Sequence, residues 1–229
     1  MAELLLVHGS GFGAWAWARL IPALSALGHS ARALDLPGRD RSDVSLQDHA
    51  DAILAAVRGP TVLVGHSAGG IPATLAAALA PDRVQALVYL AAYIPRPGIS
   101  LADLRRAGPS QPMRGAFQVS PDRMSYRFAP ERCAALFFHD CPDAQALAAR
   151  MGPEPIRPQE TPFPAHGALP PRAALIARDD RAIPPDWQRA MAADIAQEEL
   201  ASGHCPHLSM PVPLAATIHR LIATLSVVA

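Results

Sequence analysis

A serine lies at the centre of residues 65–69, a run of the form G-x-S-x-G. Residues 61–64 before it are apolar and mostly β-branched, as expected of a buried strand, and residues 71–79 after it favour a helix. A serine at such a strand-to-helix turn projects its hydroxyl into a cleft, and the flanking glycines let neighbouring elements pack closely. We therefore predict that Ser67 is a nucleophile and not part of an ordinary glycine-rich turn.

A serine hydroxyl is a weak nucleophile unless a histidine removes its proton and an acid holds that histidine. A predicted strand over residues 172–177 runs directly into Asp179 and Asp180, and a later loop carries His204 and His207. Acids and bases at the carboxyl ends of parallel strands meet at one edge of a sheet. The residues alone leave open which acid and which histidine join Ser67.

A glycine-rich loop follows the first predicted strand, with glycines at positions 9, 11 and 13. Such a loop can hold a nucleotide phosphate, but the G-x-G-x-x-G spacing is not satisfied. We predict instead that the backbone N–H groups of Ser10 and Ala68 form an oxyanion hole.

Strands and helices alternate along most of the chain. Six strands separated by helices predict a mostly parallel sheet that is covered on both faces, an α/β fold. The strands are predicted at residues 2–7, 30–35, 61–65, 84–91, 172–177 and 196–200, and the helices at 14–27, 46–57, 68–80, 185–194 and 211–225.

A proline-rich segment over about residues 95–170 interrupts this alternation, and we interpret it as a cap inserted into the sheet domain. Helices are predicted within it at about 130–139 and 142–151. Its apolar residues either pack the cap onto the main domain or line a pocket, and the sequence leaves both open. These residues are Phe128, Leu136, Phe137 and Phe138.

Several segments together resemble the α/β-hydrolase fold, and more narrowly its branch of plant methyl esterases, hydroxynitrile lyases and bacterial esterase relatives. The resemblance rests on residues 5–9 (LLVHG), 13–17 (GAWAW), 65–70 (GHSAGG), 180–184 (DRAIP) and 203–204 (GH). It implies a single domain over 1–229, with a mostly parallel six-stranded sheet, helices on both faces and the inserted cap.

The same resemblance implies a role for each site residue. Ser67, Asp180 and His204 would form a catalytic triad, with Ser10 and Ala68 as the oxyanion donors. It therefore favours Asp180 over Asp179, and His204 over His207.

The resemblance also leaves a choice of reaction. In the hydroxynitrile lyases a lysine follows the catalytic histidine, whereas Cys205 stands there in this chain and all 20 basic residues are arginine. We therefore predict a serine carboxylesterase acting on small, hydrophobic carboxylic esters through an acyl-enzyme. A slow-turnover, receptor-like ligand-binding protein of the same fold is the alternative from another functional class.

Composition limits the partners and the compartment. The net charge is zero at pH 7 and there is no basic run, so no nucleic-acid partner is expected. An odd number of cysteines indicates a reducing compartment. Because we find neither a signal peptide nor an apolar stretch of about 20 residues, we expect a cytoplasmic protein with no membrane partner.

No cofactor or metal is expected. His139, Asp140 and Cys141 are contiguous, but adjacent residues on one helical turn point in different directions and nothing else completes a metal site. A small-molecule ester is therefore the expected partner, and the sequence leaves a homodimer open.

Overall fold

The computed structural model describes residues 1–40 and 43–227. Positions 41–42 and 228–229 of the predicted 1–229 domain lie outside the described residues.

A six-stranded sheet forms the centre of the molecule. Its strands are β1 (Glu3–Val7), β2 (Ser30–Leu34), β3 (Thr61–His66), β4 (Val84–Leu90), β8 (Arg172–Ala177) and β9 (Ala196–Leu200). They lie in the order β2-β1-β3-β4-β8-β9, and all five pairings are parallel. The predicted α/β-hydrolase fold is confirmed, and each strand begins and ends within one residue of its predicted bounds.

Both faces of the sheet are buried, which explains the continuous apolar runs in its strands. Along β1, Leu5 packs into the hydrophobic core on one face and Leu4 and Leu6 pack into the core on the other. This two-residue alternation follows from the pleat of a strand.

Helices cover the two faces of the sheet. The predicted helix 14–27 is found as a 3₁₀ turn, Ala14–Trp17, followed by a separate helix that starts at Leu20. Pro22 explains the break, because it lacks an N–H for a helical hydrogen bond and is tolerated only in a first turn. The helices outside the insert are α1 (Leu20–Ala26), α2 (Leu46–Ala56), α3 (Gly70–Leu79), α8 (Pro185–Met191), α9 (Pro206–Ser209) and α10 (Pro211–Val227). No helix within the described ranges has the length and apolar character needed to cross a membrane.

The segment between β4 and β8 has its own secondary structure. It contains the helices α4 (Leu101–Ala107), α5 (Pro130–Phe137), α6 (Ala144–Ala148) and α7 (Arg157–Glu160). Helices α5 and α6 lie within the two helices predicted there. A small antiparallel sheet in the order β5-β6-β7 was not predicted; its strands are β5 (Phe117–Val119), β6 (Ser125–Phe128) and β7 (Glu154–Pro155).

Candidate active site

Ser67 lies at the turn between β3 and α3 with a backbone φ of 53°, in the left-handed region. Gly65 and Gly69 flank Ser67, and close packing leaves no room for a side chain at either position. A Cβ on Gly65 would lie 2.8 Å from the Cα of Gly70, and a Cβ on Gly69 would lie 2.5 Å from the carbonyl oxygen of His8. Neighbouring backbone therefore holds the turn in place, and the Ser67 carbonyl accepts a hydrogen bond from the Tyr93 N–H at 3.1 Å.

Asp180 and His204 meet in the interior of the protein. The His204 Nδ1 lies 2.7 Å from the Asp180 Oδ2, and neither side chain is accessible to solvent. The carboxylate orients the ring so that Nδ1 carries the proton, which leaves a lone pair on Nε2. In the described part of the chain, the buried His204 Nε2 has no hydrogen-bond partner. This nitrogen of the ring is therefore not engaged by another protein group.

The Asp180 carboxylate is held by three further donors. Its Oδ1 accepts the backbone N–H groups of Ala182 at 2.7 Å and Ile183 at 2.9 Å. Its Oδ2 accepts the Gln188 Nε2 at 2.8 Å. Because both carboxyl oxygens are hydrogen-bonded, the fold can bury this group beside His204.

Sequence reasoning gave Gln188 no role of its own. Its amide donates to Asp180, and its Oε1 accepts the Ala177 N–H at 3.0 Å. The helical spacing could have indicated that Gln188 is buried. Met191 and Ala192, three and four positions later on the same face, are apolar and buried as well.

The two alternative residues lie outside this pair. The Asp179 side chain is exposed, and its backbone carbonyl accepts the His139 Nε2 at 3.0 Å. His207 is fully buried, with its ring centroid 4.6 Å from that of Trp17. Burial lowers the pKa of His207 to about 3, so its ring is neutral.

His66 lies directly behind the catalytic loop. Its Nε2 donates to the backbone carbonyl of His204 at 3.0 Å, and its ring centroid is 4.8 Å from that of His204. Burial, with smaller effects from His207 and His204, holds the pKa of His66 well below its usual range. His66 is therefore a neutral donor that fixes the backbone of His204.

One cluster in the described residues offers three metal-ligand atoms within 4.8 Å of one another, from His66, Cys205 and His207. A metal would require the thiolate of Cys205. Burial holds the pKa of that thiol well above its ordinary value, with a smaller effect from the neighbouring Cys141. The electrostatics of the cluster thus favour a neutral thiol and neutral imidazoles packed behind the site.

The loop after β1 packs against the nucleophile turn. A Cβ on Gly9 would lie 2.7 Å from the Ser67 Cβ, so the loop approaches this closely only because position 9 is glycine. Ser10 and Ala68, the two predicted oxyanion donors, line the same narrow cleft. Ala68 lies in the first turn after β3, where backbone N–H groups have no helical acceptor.

A buried carboxylate from the insert holds this loop in place. The Gly11 N–H donates to the Glu154 Oε2 at 2.9 Å, and the Gly11 carbonyl accepts the Gly152 N–H at 2.8 Å. The other Glu154 oxygen accepts the Gln159 Nε2 at 3.1 Å. Burial raises the pKa of Glu154 to about 7. An acid in a proline-rich tract gives no periodic signal, and sequence reasoning missed it.

Aromatic side chains of the insert pack beside His204. The Phe137 ring centroid lies 5.5 Å from that of His204, and the Phe128 ring lies 4.8 Å from Phe137. The four apolar residues left open by the sequence, Phe128, Leu136, Phe137 and Phe138, are all buried in the core. The insert therefore gives the site an apolar wall.

The fold and the sequence are similar to those of known proteins. The model of the alpha/beta hydrolase family matches residues 4–217, so the chain belongs to that family. It is 32% identical to the probable esterase PIR7A of Oryza sativa subsp. indica, covering 96% of this chain and 97% of that protein. It is 30% identical to the pyrethroid hydrolase of Sphingobium wenxiniae, covering 95% and 86% of the two chains. Among solved structures, a pyrethroid hydrolase from Sphingobium faniae superposes with a TM-score of 0.85 at 26% identity, over 97% of each chain.

Proposed function

We propose that this protein is a serine carboxylesterase that hydrolyses small, hydrophobic carboxylic esters through an acyl-enzyme. The buried pair of Asp180 and His204, with a free lone pair on the His204 Nε2, carries the proposal. Membership of the alpha/beta hydrolase family, with relatives named as esterases, supports the same class of reaction.

The reaction proceeds in two acyl-transfer steps. Ser67 attacks the ester carbonyl while His204 accepts the proton of its hydroxyl. The backbone N–H groups of Ser10 and Ala68 stabilise the tetrahedral oxyanion, and His204 then protonates the leaving alcohol. Water activated by His204 releases the acid from Ser67. Throughout, Asp180 fixes the ring and stabilises the imidazolium.

The wall of the site supports the hydrophobic character of the substrate. The Phe137 ring packs against His204 and the Phe128 ring packs against Phe137, and such a wall favours an apolar group next to the ester bond.

The lyase reaction is disfavoured by the electrostatics next to the catalytic histidine. Cyanide must leave as an anion, which requires a nearby cation in a water-poor site. The chain has no lysine, and burial raises the pKa of the Cys205 thiol far above its ordinary value, so this position is neutral.

The test is hydrolysis of p-nitrophenyl butyrate by the wild-type protein, Ser67→Ala and a matched control, Ser202→Ala. Ser202 is a second buried serine, in the loop that carries His204. We expect multiple turnovers in the wild type and in Ser202→Ala, and a loss of about 10⁴-fold or more in Ser67→Ala.

Two outcomes would contradict the proposal. Release of one equivalent of p-nitrophenol without further turnover would favour the slow ligand-binding alternative. Cyanide release from mandelonitrile that depends on Ser67, without ester turnover, would favour the lyase.

A further inference from the structure

A cavity of about 190 Å³ lies between the insert and the loop that follows Asp180. Two of its lining residues contact the proposed triad through their backbone. The Tyr93 N–H donates to the Ser67 carbonyl, and the Ala182 N–H donates to the Asp180 carboxylate. The cavity is therefore adjacent to the site but separate from the Asp180–His204 pair.

The charge of this cavity is positive. Arg105 and Arg114 line it, and none of its lining residues is acidic. The Arg105 guanidinium carbon lies 4.4 Å from the ring centroid of Phe117, and its side chain is only partly exposed. Arg106, the next residue on α4, is instead exposed and ion-paired with Asp103 at 2.7 Å.

Arg105 forms no ion pair with any other residue that the structure describes. A second cavity of about 300 Å³ is also lined by Arg105 and Phe117, and there Glu160 is accompanied by another cation, Arg123. Arginine presents a planar set of donors that matches a carboxylate, and a stacked guanidinium is already oriented for it. The unpaired Arg105 therefore provides an anchor for an anion.

Large apolar side chains form much of the remaining wall, beside the polar Ser110 and Gln111. Phe117, Met113 and Trp187 line the cavity, and the Trp187 Nε1 already donates to the Leu104 carbonyl at 3.0 Å. A cavity of roughly 150 Å³ accommodates a benzene ring. The space thus suits one ring, or a short alkyl chain, that ends in a carboxylate.

We propose that this cavity binds a carboxylate carried by the substrate at a distance from the ester, with Arg105 as its partner, so that monoesters of dicarboxylic acids are preferred substrates. This inference rests on the proposed esterase function and specifies the acyl group. Arg105 is then a specificity-determining residue of the reaction.

The test compares matched esters that differ only in the remote group: monomethyl adipate against methyl hexanoate, and monomethyl terephthalate against methyl 4-methylbenzoate. Acid release is measured by pH-stat in the wild type, Arg105→Met and Arg106→Met. We expect the ratio of kcat/KM for the acid over the neutral ester to fall about tenfold in Arg105→Met. The ratio should stay unchanged in Arg106→Met, because Arg106 does not line the cavity.

A binding measurement separates this inference from the function on which it rests. Adipate and the neutral control 1,6-hexanediol are titrated while tryptophan fluorescence is recorded, with Trp187→Phe to assign the signal. We expect a signal from adipate alone, with affinity about tenfold weaker in Arg105→Met.

Two outcomes distinguish a failure of the esterase function from a failure of the carboxylate site. Adipate binding that depends on Arg105, without hydrolysis of any ester, supports the site and contradicts the esterase function. Hydrolysis of both members of each pair at ratios that Arg105→Met leaves unchanged, with no adipate binding, supports the esterase and overturns the carboxylate site.

Discussion

At the scale of single residues, Ser67 occupies a backbone conformation that is unfavourable for it. A non-glycine residue at a φ of 53° costs about 1–3 kcal/mol, which the surrounding contacts must offset. A glycine there would remove the strain, but it would also remove the hydroxyl that the proposed reaction needs.

This strain can be measured by comparing Ser67→Gly with Ser67→Ala. Both variants should lose ester turnover, and Ser67→Gly should have the higher free energy of unfolding, by about 1 kcal/mol, because glycine adopts a positive φ freely. Urea denaturation provides the comparison. A Ser67→Gly protein less stable than Ser67→Ala would show that the turn is not strained.

The two adjacent acids give a second residue-level prediction. Asp180→Asn should lower kcat by about 10⁴-fold, because an amide cannot stabilise the imidazolium and favours the wrong ring tautomer. Asp179→Asn should stay within about twofold of the wild type, since the Asp179 side chain is exposed. Steady-state kinetics test this, and equal losses in both variants would contradict the assigned acid.

The residues of the site could be proposed from sequence, but their contacts could not. Neighbouring residues of one loop differ in burial, which depends on packing by distant elements. Asp180 is buried by Gln188 and by its own turn, whereas Asp179 is exposed. The catalytic roles of Ser67 and His204 stay predictions until activity is measured.

At the scale of elements, β7 of the insert is linked to the loop after β1 through Glu154. The carboxyl of Glu154 has its pKa raised to about 7 by burial, from an ordinary value of 4.5. Between these values the folded protein binds more protons than the unfolded chain, so ionisation of Glu154 lowers stability as pH rises.

We therefore predict that Glu154→Gln gains stability relative to the wild type as pH rises from 4.5 to 7, by up to about 3 kcal/mol. A neutral amide avoids the cost of burying a charge and can still accept the Gly11 N–H. Urea denaturation at pH 5 and pH 8 measures the difference, with the exposed Glu160→Gln as the matched control. A difference between wild type and Glu154→Gln that does not change with pH would contradict the raised pKa.

Elements of the main sheet were predicted well, whereas the sheet of the insert was missed. Buried parallel strands are continuous apolar runs, which a sequence displays directly. Strands β5, β6 and β7 are two to four residues long, too short for any period to appear. They are held by contacts between distant residues, such as the ring pairs of Phe117 with Tyr126 and with Phe128.

At the scale of the whole molecule, several histidines are buried in neutral form. Burial lowers the pKa of His8 to about 4 and that of His207 to about 3, and it lowers the pKa of His66 in the same direction. The unfolded chain binds protons at these histidines below about pH 6.5, whereas the folded protein does not. Proton binding by these histidines in the unfolded chain therefore lowers the free energy of unfolding as pH falls from about 6.5 toward the pKa values of the folded protein.

We predict that the free energy of unfolding falls between pH 8 and pH 5. His8 and His207 each contribute a loss of about 2 kcal/mol, which Glu154 partly offsets because its protonation acts in the opposite direction. The loss should accordingly be larger in Glu154→Gln than in the wild type. Urea denaturation across this pH range tests it, and stability in Glu154→Gln that stays constant or rises on acidification would contradict the neutral buried histidines.

Covalent labelling shows whether Ser67 is the nucleophile. The protein is treated with diisopropyl fluorophosphate, and both the residual hydrolysis of p-nitrophenyl butyrate and the mass of each peptide are recorded. We predict one adduct per chain, located on Ser67, with hydrolysis lost in proportion to labelling and no adduct in Ser67→Ala. Full ester turnover with Ser67 fully modified, or loss of turnover through an adduct on another residue, would show that Ser67 is not the nucleophile.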